Sequence, residues 1–148
     1  MLKEDLLRQC VLFVNEKSAI VEQQMTEARK ALDQESKSSA GDKHETGRAM
    51  LHLEMEKASQ QLEVVNQMRA TLNRIDIRTE SKKIKLGSLI NTDQGIYFLA
   101  ISAGQLSVDG RKFYAISAAS PIGRQLLGKE KDQSLQLGEK LFKINSIA

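Results

Sequence analysis

The chain has 148 residues, of which 41% are hydrophobic and only 4% aromatic. This hydrophobic content supports a packed core in one domain or two small ones, whereas so few aromatic residues argue against an aromatic-lined ligand pocket. The net charge of +3 divides unevenly, because residues 1–80 hold 12 basic and 14 acidic residues and residues 81–148 hold 10 basic and 5 acidic ones. An excess this small is compatible with docking on an acidic protein or on nucleic acid but establishes neither.

The start of the chain and its hydropathy predict a cytoplasmic protein without a membrane partner. No apolar run approaches the roughly 18 residues of a membrane span, and the opening Met-Leu-Lys-Glu-Asp is unlike a signal peptide. The single cysteine, Cys10, cannot form a disulfide within the chain and lies among apolar residues of a predicted helix. We therefore expect a reducing compartment and a buried thiol.

Apolar residues recur at heptad spacing in the first quarter of the chain, which predicts a long helix with one apolar seam. One row is Leu7, Val14, Val21 and Ala28, and its companion is Val11, Ser18, Met25 and Leu32. A second predicted helix repeats the pattern with Leu51, Met55, Ala58, Leu62, Val65 and Leu72, where Arg69 interrupts the row and Met68 takes its place.

Small polar residues and two glycines between the helices, over residues 35–47, predict the turn of a hairpin. Counting outward from about residue 42 gives arms of equal length that pair antiparallel. Because such a hairpin buries its own seam, we expect a monomer.

The predicted turn contains the acidic pair Asp42 and Glu45 within Gly41-Asp42-Lys43-His44-Glu45. The pair has the spacing of a capping box. In that arrangement the Asp42 side chain would cap the second helix, and the Glu45 side chain would reach back to the backbone amide of Asp42. Carboxylates are also the ligands that Mg²⁺ prefers. The residues alone leave both roles open, and their spacing favours capping.

The second half predicts a small antiparallel sheet with one short helix. Asp109-Gly110 is a hairpin turn signal, Ser120 and Pro121 have the pattern of an N-cap and first helical residue, and Gly128 ends that helix. Short runs rich in β-branched and aromatic residues predict strands at 86–90, 96–101, 112–116, 134–137 and 141–147. The fold class is therefore α+β, with a coiled-coil hairpin over residues 1–78 and a sheet domain over residues 79–148.

Two stretches of the chain resemble motifs of the bacterial transcript-cleavage (Gre) factors. Residues 116–129, Ile-Ser-Ala-Ala-Ser-Pro-Ile-Gly-Arg-Gln-Leu-Leu-Gly-Lys, are similar to the pattern I-S-x-x-S-P-[IL]-[GA]-x-x-L-[LI]-G-K of the C-terminal domain of that family. Residues 41–46 resemble the hairpin-tip motif G-D-L-x-E-N. The resemblance covers almost the whole chain and implies a C-terminal domain similar to the FK506-binding prolyl isomerases.

The resemblance implies an elongation factor that enters the secondary channel of RNA polymerase and stimulates cleavage of backtracked RNA. Asp42 and Glu45 would help to hold a catalytic Mg²⁺ that is shared with the polymerase, beside the 3′ end of the nascent RNA. The chemistry would belong to the polymerase, so the protein itself would not be an enzyme and would bind no cofactor tightly alone. The C-terminal motif predicts partner-binding residues at Ser120, Pro121, Gly128 and Lys129.

The tip departs from the family pattern and leaves two alternatives open. Lys43 stands where an apolar residue is usual, Thr46 replaces asparagine, and residues 47–49 read Gly-Arg-Ala instead of A-E-Y. These changes would permit a regulator that occupies the channel without stimulating cleavage. The other alternative is a prolyl isomerase or chaperone, which the scarcity of aromatic residues disfavours.

Overall fold

The computed structural model describes the backbone of residues 1–36 and 41–148, and the side chains of residues 1–35 and 45–148. Two long helices come first, a six-stranded sheet follows, and one short helix lies between the fourth and fifth strands. This order confirms the predicted α+β class. The elements are α1 (Leu2–Ser36), α2 (Gly41–Asn73), β1 (Leu89–Thr92), β2 (Gly95–Ala100), β3 (Gly104–Val108), β4 (Arg111–Ser117), α3 (Pro121–Leu126), β5 (Ser134–Leu137) and β6 (Lys140–Ile147).

The seam of α2 is the predicted one. Ala58, Val65 and Leu72 are buried, and the remaining members of the predicted row are half-buried. Met68 is half-buried while Arg69 is exposed, which confirms that Met68 replaces Arg69 in the row. Arg69 instead donates a hydrogen bond from Nη1 to Asn15 Oδ1 at 2.9 Å. The bond joins α2 to α1 at positions equally far from residue 42, as the predicted antiparallel register requires.

The seam of α1 follows the predicted rows from Val14 onward but not before it. Val14, Ser18, Val21 and Ala28 are buried, whereas the predicted Val11 is 39% exposed and Leu7 is only half-buried. Leu6 and Cys10 are fully buried instead. Burial at positions 6, 10, 14 and 18 follows four-residue steps, which differ from the alternating steps of a two-helix heptad seam. The first residues of α1 belong to the compact unit that contains the sheet, so a different partner selects their buried face.

The sheet has the order β3-β4-β2-β1-β6-β5, and every neighbouring pair is antiparallel except β2 and β4. The parallel pair and strand β3 were not predicted. In the sheet, β4 lies between β2 and β3. It runs parallel to β2 and antiparallel to β3. The predicted hairpin turn is confirmed, with positive φ angles of 51° at Asp109 and 76° at Gly110 between β3 and β4.

Each face of the sheet contributes residues to the buried core. One face packs Leu99, Phe142 and Ile144 with Leu126 of α3 in a single apolar cluster. Phe98 is next to Leu99 in β2 and therefore lies on the opposite face of the sheet. Phe113 of β4 lies on the same face as Phe98, and both are fully buried.

The chain divides into two compact units. One contains Met1–Phe13 and Ala70–Ala148, and the other contains Val14–Arg69. In the first unit, Gln9 Nε2 donates a hydrogen bond to the carbonyl of Ser107 in β3 at 2.7 Å. The base of the hairpin is therefore part of the same packed body as the sheet. None of the helices in the described part of the chain has the length and apolar content needed to cross a membrane.

Candidate functional site

The predicted acidic pair lies in the first turns of α2. The helix begins at Gly41, so the backbones of Asp42 and Glu45 are helical and the turn of the hairpin is shorter than the predicted residues 35–47. Residues three apart on a helix share a face. The side chains of residues 36–44 lie outside the described part of the chain, so the capping box remains a prediction. Carboxylates in a first turn are favoured by the helix dipole.

The side chain of Asp42 lies outside the described residues, and the side chain of Glu45 is exposed to solvent. Among the side chains of residues 1–35 and 45–148, no three His, Cys, Asp or Glu residues form a group that could hold a metal ion. Mg²⁺ takes six oxygen ligands, so two carboxylates could supply only part of its ligand set.

Gly47 lets α1 approach α2 closely near the tip. A Cβ atom at Gly47 would lie 3.0 Å from Oε1 of Glu35 on α1, which is tighter than most contacts of a real Cβ. The carboxylate of Glu35 on α1 therefore lies against α2 at Gly47, and a methyl group at this position would require the Glu35 side chain to move.

The Ser-Pro pair of the C-terminal motif starts α3 as predicted. Ser120 is the N-cap, and its Oγ accepts a hydrogen bond from the Gly123 amide at 3.1 Å. The same hydroxyl donates to the carbonyl of Ser117 at 2.7 Å. Pro121 occupies the first helical position, where its missing amide hydrogen costs nothing. These bonds fix the direction in which the chain leaves β4.

Gly123 permits the close approach of α3 to the end of β4. A Cβ atom at this position would lie only 1.9 Å from the carbonyl oxygen of Ser117. No side chain larger than hydrogen fits without a shift of the backbone. The motif pattern has a small residue at this position, and the physical reason lies in how the end of β4 and the start of α3 meet.

The end of the motif holds the chain segment that precedes β1. Gly128 has a φ of +84°, which favours glycine, and its amide donates to the carbonyl of Ile84 at 2.8 Å. The amide of Ile84 donates in turn to the carbonyl of Lys129, also at 2.8 Å. Gly128 and Lys129 therefore have a structural role through their backbones, in addition to the predicted role in partner binding.

The exposed face of α3 contains a candidate that the motif alone did not single out. Pro121 and Arg124 are exposed, and Leu127, which caps the helix C-terminus, is 50% exposed. Of the four predicted partner-binding residues, Pro121 and Gly128 are exposed while Ser120 and Lys129 are half-buried. A large apolar side chain in this position is suited to a protein contact, and it could have been found in the sequence only by knowing where α3 ends.

The aromatic residues of the sheet do not form the lining of an isomerase pocket. Phe98 and Phe113 are fully buried in the packed sheet and cannot contact a ligand. The ring centroid of Tyr97 lies 5.8 Å from that of Tyr114 and 6.3 Å from that of Phe142. Burial raises the pKa of the Tyr97 hydroxyl, and the neighbouring Tyr114 raises it further. Tyr97 thus packs between the other two rings, and Tyr114 remains 37% exposed.

The fold and the candidate residues define a class of protein with two parts, a helical hairpin with acidic residues beside its turn and a sheet domain with a capped helix. The chain matches no protein-family model and no curated protein sequence. Among solved structures it is similar to the transcription factor Gfh1, with 21% identity over 90% of each chain and a TM-score of 0.35. A likeness at that TM-score supports no conclusion about function, so the proposal below rests on the residues of this chain.

Proposed function

We propose that the protein is a transcription elongation factor of the Gre type that acts on RNA polymerase in the cytoplasm. The observation that carries the proposal is the pairing of two features in one chain. Asp42 and Glu45 stand one turn apart at the start of α2, at the far end of helices of 35 and 33 residues. The motif of residues 116–129 folds as a capped helix on the sheet.

The length of the hairpin suits delivery of the acidic pair to a recessed site. At 1.5 Å per residue, α1 extends for about 52 Å. The seam buries residues of both helices, which gives the stiffness that such a reach requires. In this proposal the hairpin enters the secondary channel, and Asp42 and Glu45 arrive beside the 3′ end of backtracked RNA.

The acidic pair would complete a metal site rather than form one. Asp42 and Glu45 would supply carboxylate oxygens, and the polymerase and the RNA would supply the rest. An Mg²⁺ ion held there by Asp42, Glu45 and the polymerase would supply Lewis-acid chemistry, which lowers the pKa of a bound water and stabilises charge on a leaving oxygen. The protein is thus an accessory to the nuclease activity of the polymerase. Its own residues supply two negative charges to the site and help to position the metal ion.

The exposed face of α3 is the proposed docking surface for the polymerase. Pro121, Arg124 and Leu127 offer an apolar centre with one positive charge beside it. Residues 81–148 as a whole carry ten basic and five acidic residues, which favours an acidic partner surface and gives a binding affinity that falls as salt rises.

A second candidate function is occupancy of the channel without cleavage. It is favoured by the changed tip, where Lys43 and Thr46 replace the usual family residues and Gly47 is approached by Glu35. The test is a stalled, backtracked elongation complex incubated with the full-length protein and Mg²⁺. Shortened RNA supports the first candidate, whereas binding without shortening supports the second, and no binding at low salt contradicts both.

A further inference from the structure

A second row of residues at heptad spacing runs along α2 outside its seam. We define this outer row as Met50, Leu53, Lys57, Gln60 and Val64, whose separations alternate between three and four residues. At 100° per residue, the mean direction of the row lies about 130° around the helix from that of the seam residues, so the row borders the side of α2 that faces α1. Met50 is 61% exposed, Leu53 64% and Val64 43%. Single exposed apolar residues are common on a surface; here Met50 and Leu53 are adjacent members of the row, and the polar Lys57 and Gln60 separate them from Val64.

Two surface grooves meet on this side of the hairpin, at Met50 and Glu54. One groove has a volume of about 450 Å³ and runs toward α1, where Ala31 and Glu35 line it. The other has a volume of about 530 Å³ and follows α2 past Leu53. Met50 therefore lies between two grooves. Side chains of a partner helix could enter the grooves on either side of it.

The charge of the grooves selects the kind of partner. Three carboxylates, those of Glu35, Glu54 and Glu56, line the two grooves, against the one ammonium group of Lys57. A second copy of the same surface would bring like charges together across a symmetric contact. A helix with an apolar stripe flanked by lysine or arginine would meet charges of opposite sign.

We propose that the outer row and its two grooves bind a basic amphipathic helix of a partner protein, which packs along α2 as a third helix of the hairpin. The row covers residues 50–64, a length of about 21 Å, which accommodates two heptads of the partner. This inference goes beyond the proposed action on polymerase and does not depend on it.

The test uses the full-length protein and a fluorescein-labelled peptide of three heptads with leucine at positions a and d and lysine at e and g. A second peptide has glutamate in place of each lysine. Fluorescence anisotropy measures the affinity of each peptide for the wild type and for Met50→Gln with Leu53→Gln. A charge variant combines Glu54→Gln with Glu56→Gln. The matched control is Ile20→Gln on α1, which removes an apolar side chain that is 58% exposed and lies outside both grooves.

The lysine peptide is expected to bind the wild type and the Ile20 variant equally. The Met50 and Leu53 variant should lose about tenfold or more in affinity, because two apolar side chains no longer become buried. The charge variant should bind more weakly and depend less on salt, while the glutamate peptide should not bind. Circular dichroism checks that each variant is folded. The proposal is overturned if the Met50 and Leu53 variant binds like the Ile20 control, if both peptides bind equally, or if sedimentation shows that the row pairs two copies of the chain.

Discussion

The replacement Gly123→Ala tests the packing that holds the C-terminal motif. The new methyl group would lie 1.9 Å from the carbonyl oxygen of Ser117 and 2.9 Å from Oγ of Ser120. Ordinary contact begins near 3.4 Å, so the oxygen and the methyl group must separate by about 1.5 Å. The obstructing atom belongs to the backbone, and α3 must therefore move away from the end of β4.

The expected loss of stability follows from three contributions. Overpacking of this kind costs about 1–3 kcal/mol, and the upper end applies because the obstacle is backbone. Displacement of α3 also weakens the Ser120 cap, which contributes about 1 kcal/mol. The higher helix propensity of alanine offsets about 1 kcal/mol. We expect a net loss of about 2–3 kcal/mol in the free energy of unfolding.

Urea unfolding of the full-length protein measures this loss. The chain has no tryptophan, and its two tyrosines, Tyr97 and Tyr114, both lie in the sheet, so tyrosine fluorescence reports on the unit that contains Gly123. Arg124→Ala is the matched control, because it removes an exposed side chain from the same helix and should change stability by less than about 0.5 kcal/mol. Equal midpoints for the Gly123 and Arg124 variants would refute the packing argument.

Three further predictions concern a buried thiol, a helix-end carboxylate and the docking surface. Burial raises the pKa of the Cys10 thiol to about 11, so it should react with a thiol reagent at pH 8 only after unfolding; fast labelling of the native protein would contradict its burial. A hydrogen bond from the Thr79 hydroxyl is the main cause that lowers the pKa of Asp76. Its stabilising effect is present above the ordinary carboxyl pKa of about 4 and is lost as pH falls further, so the difference in melting temperature between wild type and Asp76→Ala should shrink in acid. Leu127→Gln should weaken binding to polymerase without changing the melting temperature, whereas Leu141→Gln, which alters another exposed leucine, should bind as the wild type does.

The helices could be predicted from sequence wherever a single partner determines the buried face. The α2 seam and the replacement of Arg69 by Met68 follow from heptad spacing alone. The first turns of α1 could not be predicted in the same way. They belong to the unit that contains the sheet, so Leu6 and Cys10 are buried where the heptad rule points to Leu7 and Val11.

The sheet and the candidate site show the same division between local and long-range information. Turn and cap signals are local, and the Asp109-Gly110 turn, the Ser120 cap and the helix stop at Gly128 all occur as predicted. The insertion of β4 between β2 and β3 depends on pairing between distant segments, which short runs of sequence do not encode. The close approach at Gly123 is hidden for the same reason.

The proposed role of Asp42 and Glu45 in transcript cleavage depends on their negative charge, which a cleavage assay can test. Backtracked elongation complexes are incubated with the wild type or with the double variant Asp42→Asn and Glu45→Gln, and the length of the RNA is followed over a range of Mg²⁺ concentrations. The amides preserve the shape of the side chains but lack the negative charge that Mg²⁺ requires. We expect both proteins to melt alike and to bind polymerase alike, and only the wild type to shorten the RNA. Equal cleavage by the double variant, or no cleavage by a wild type that binds, would contradict the proposed role.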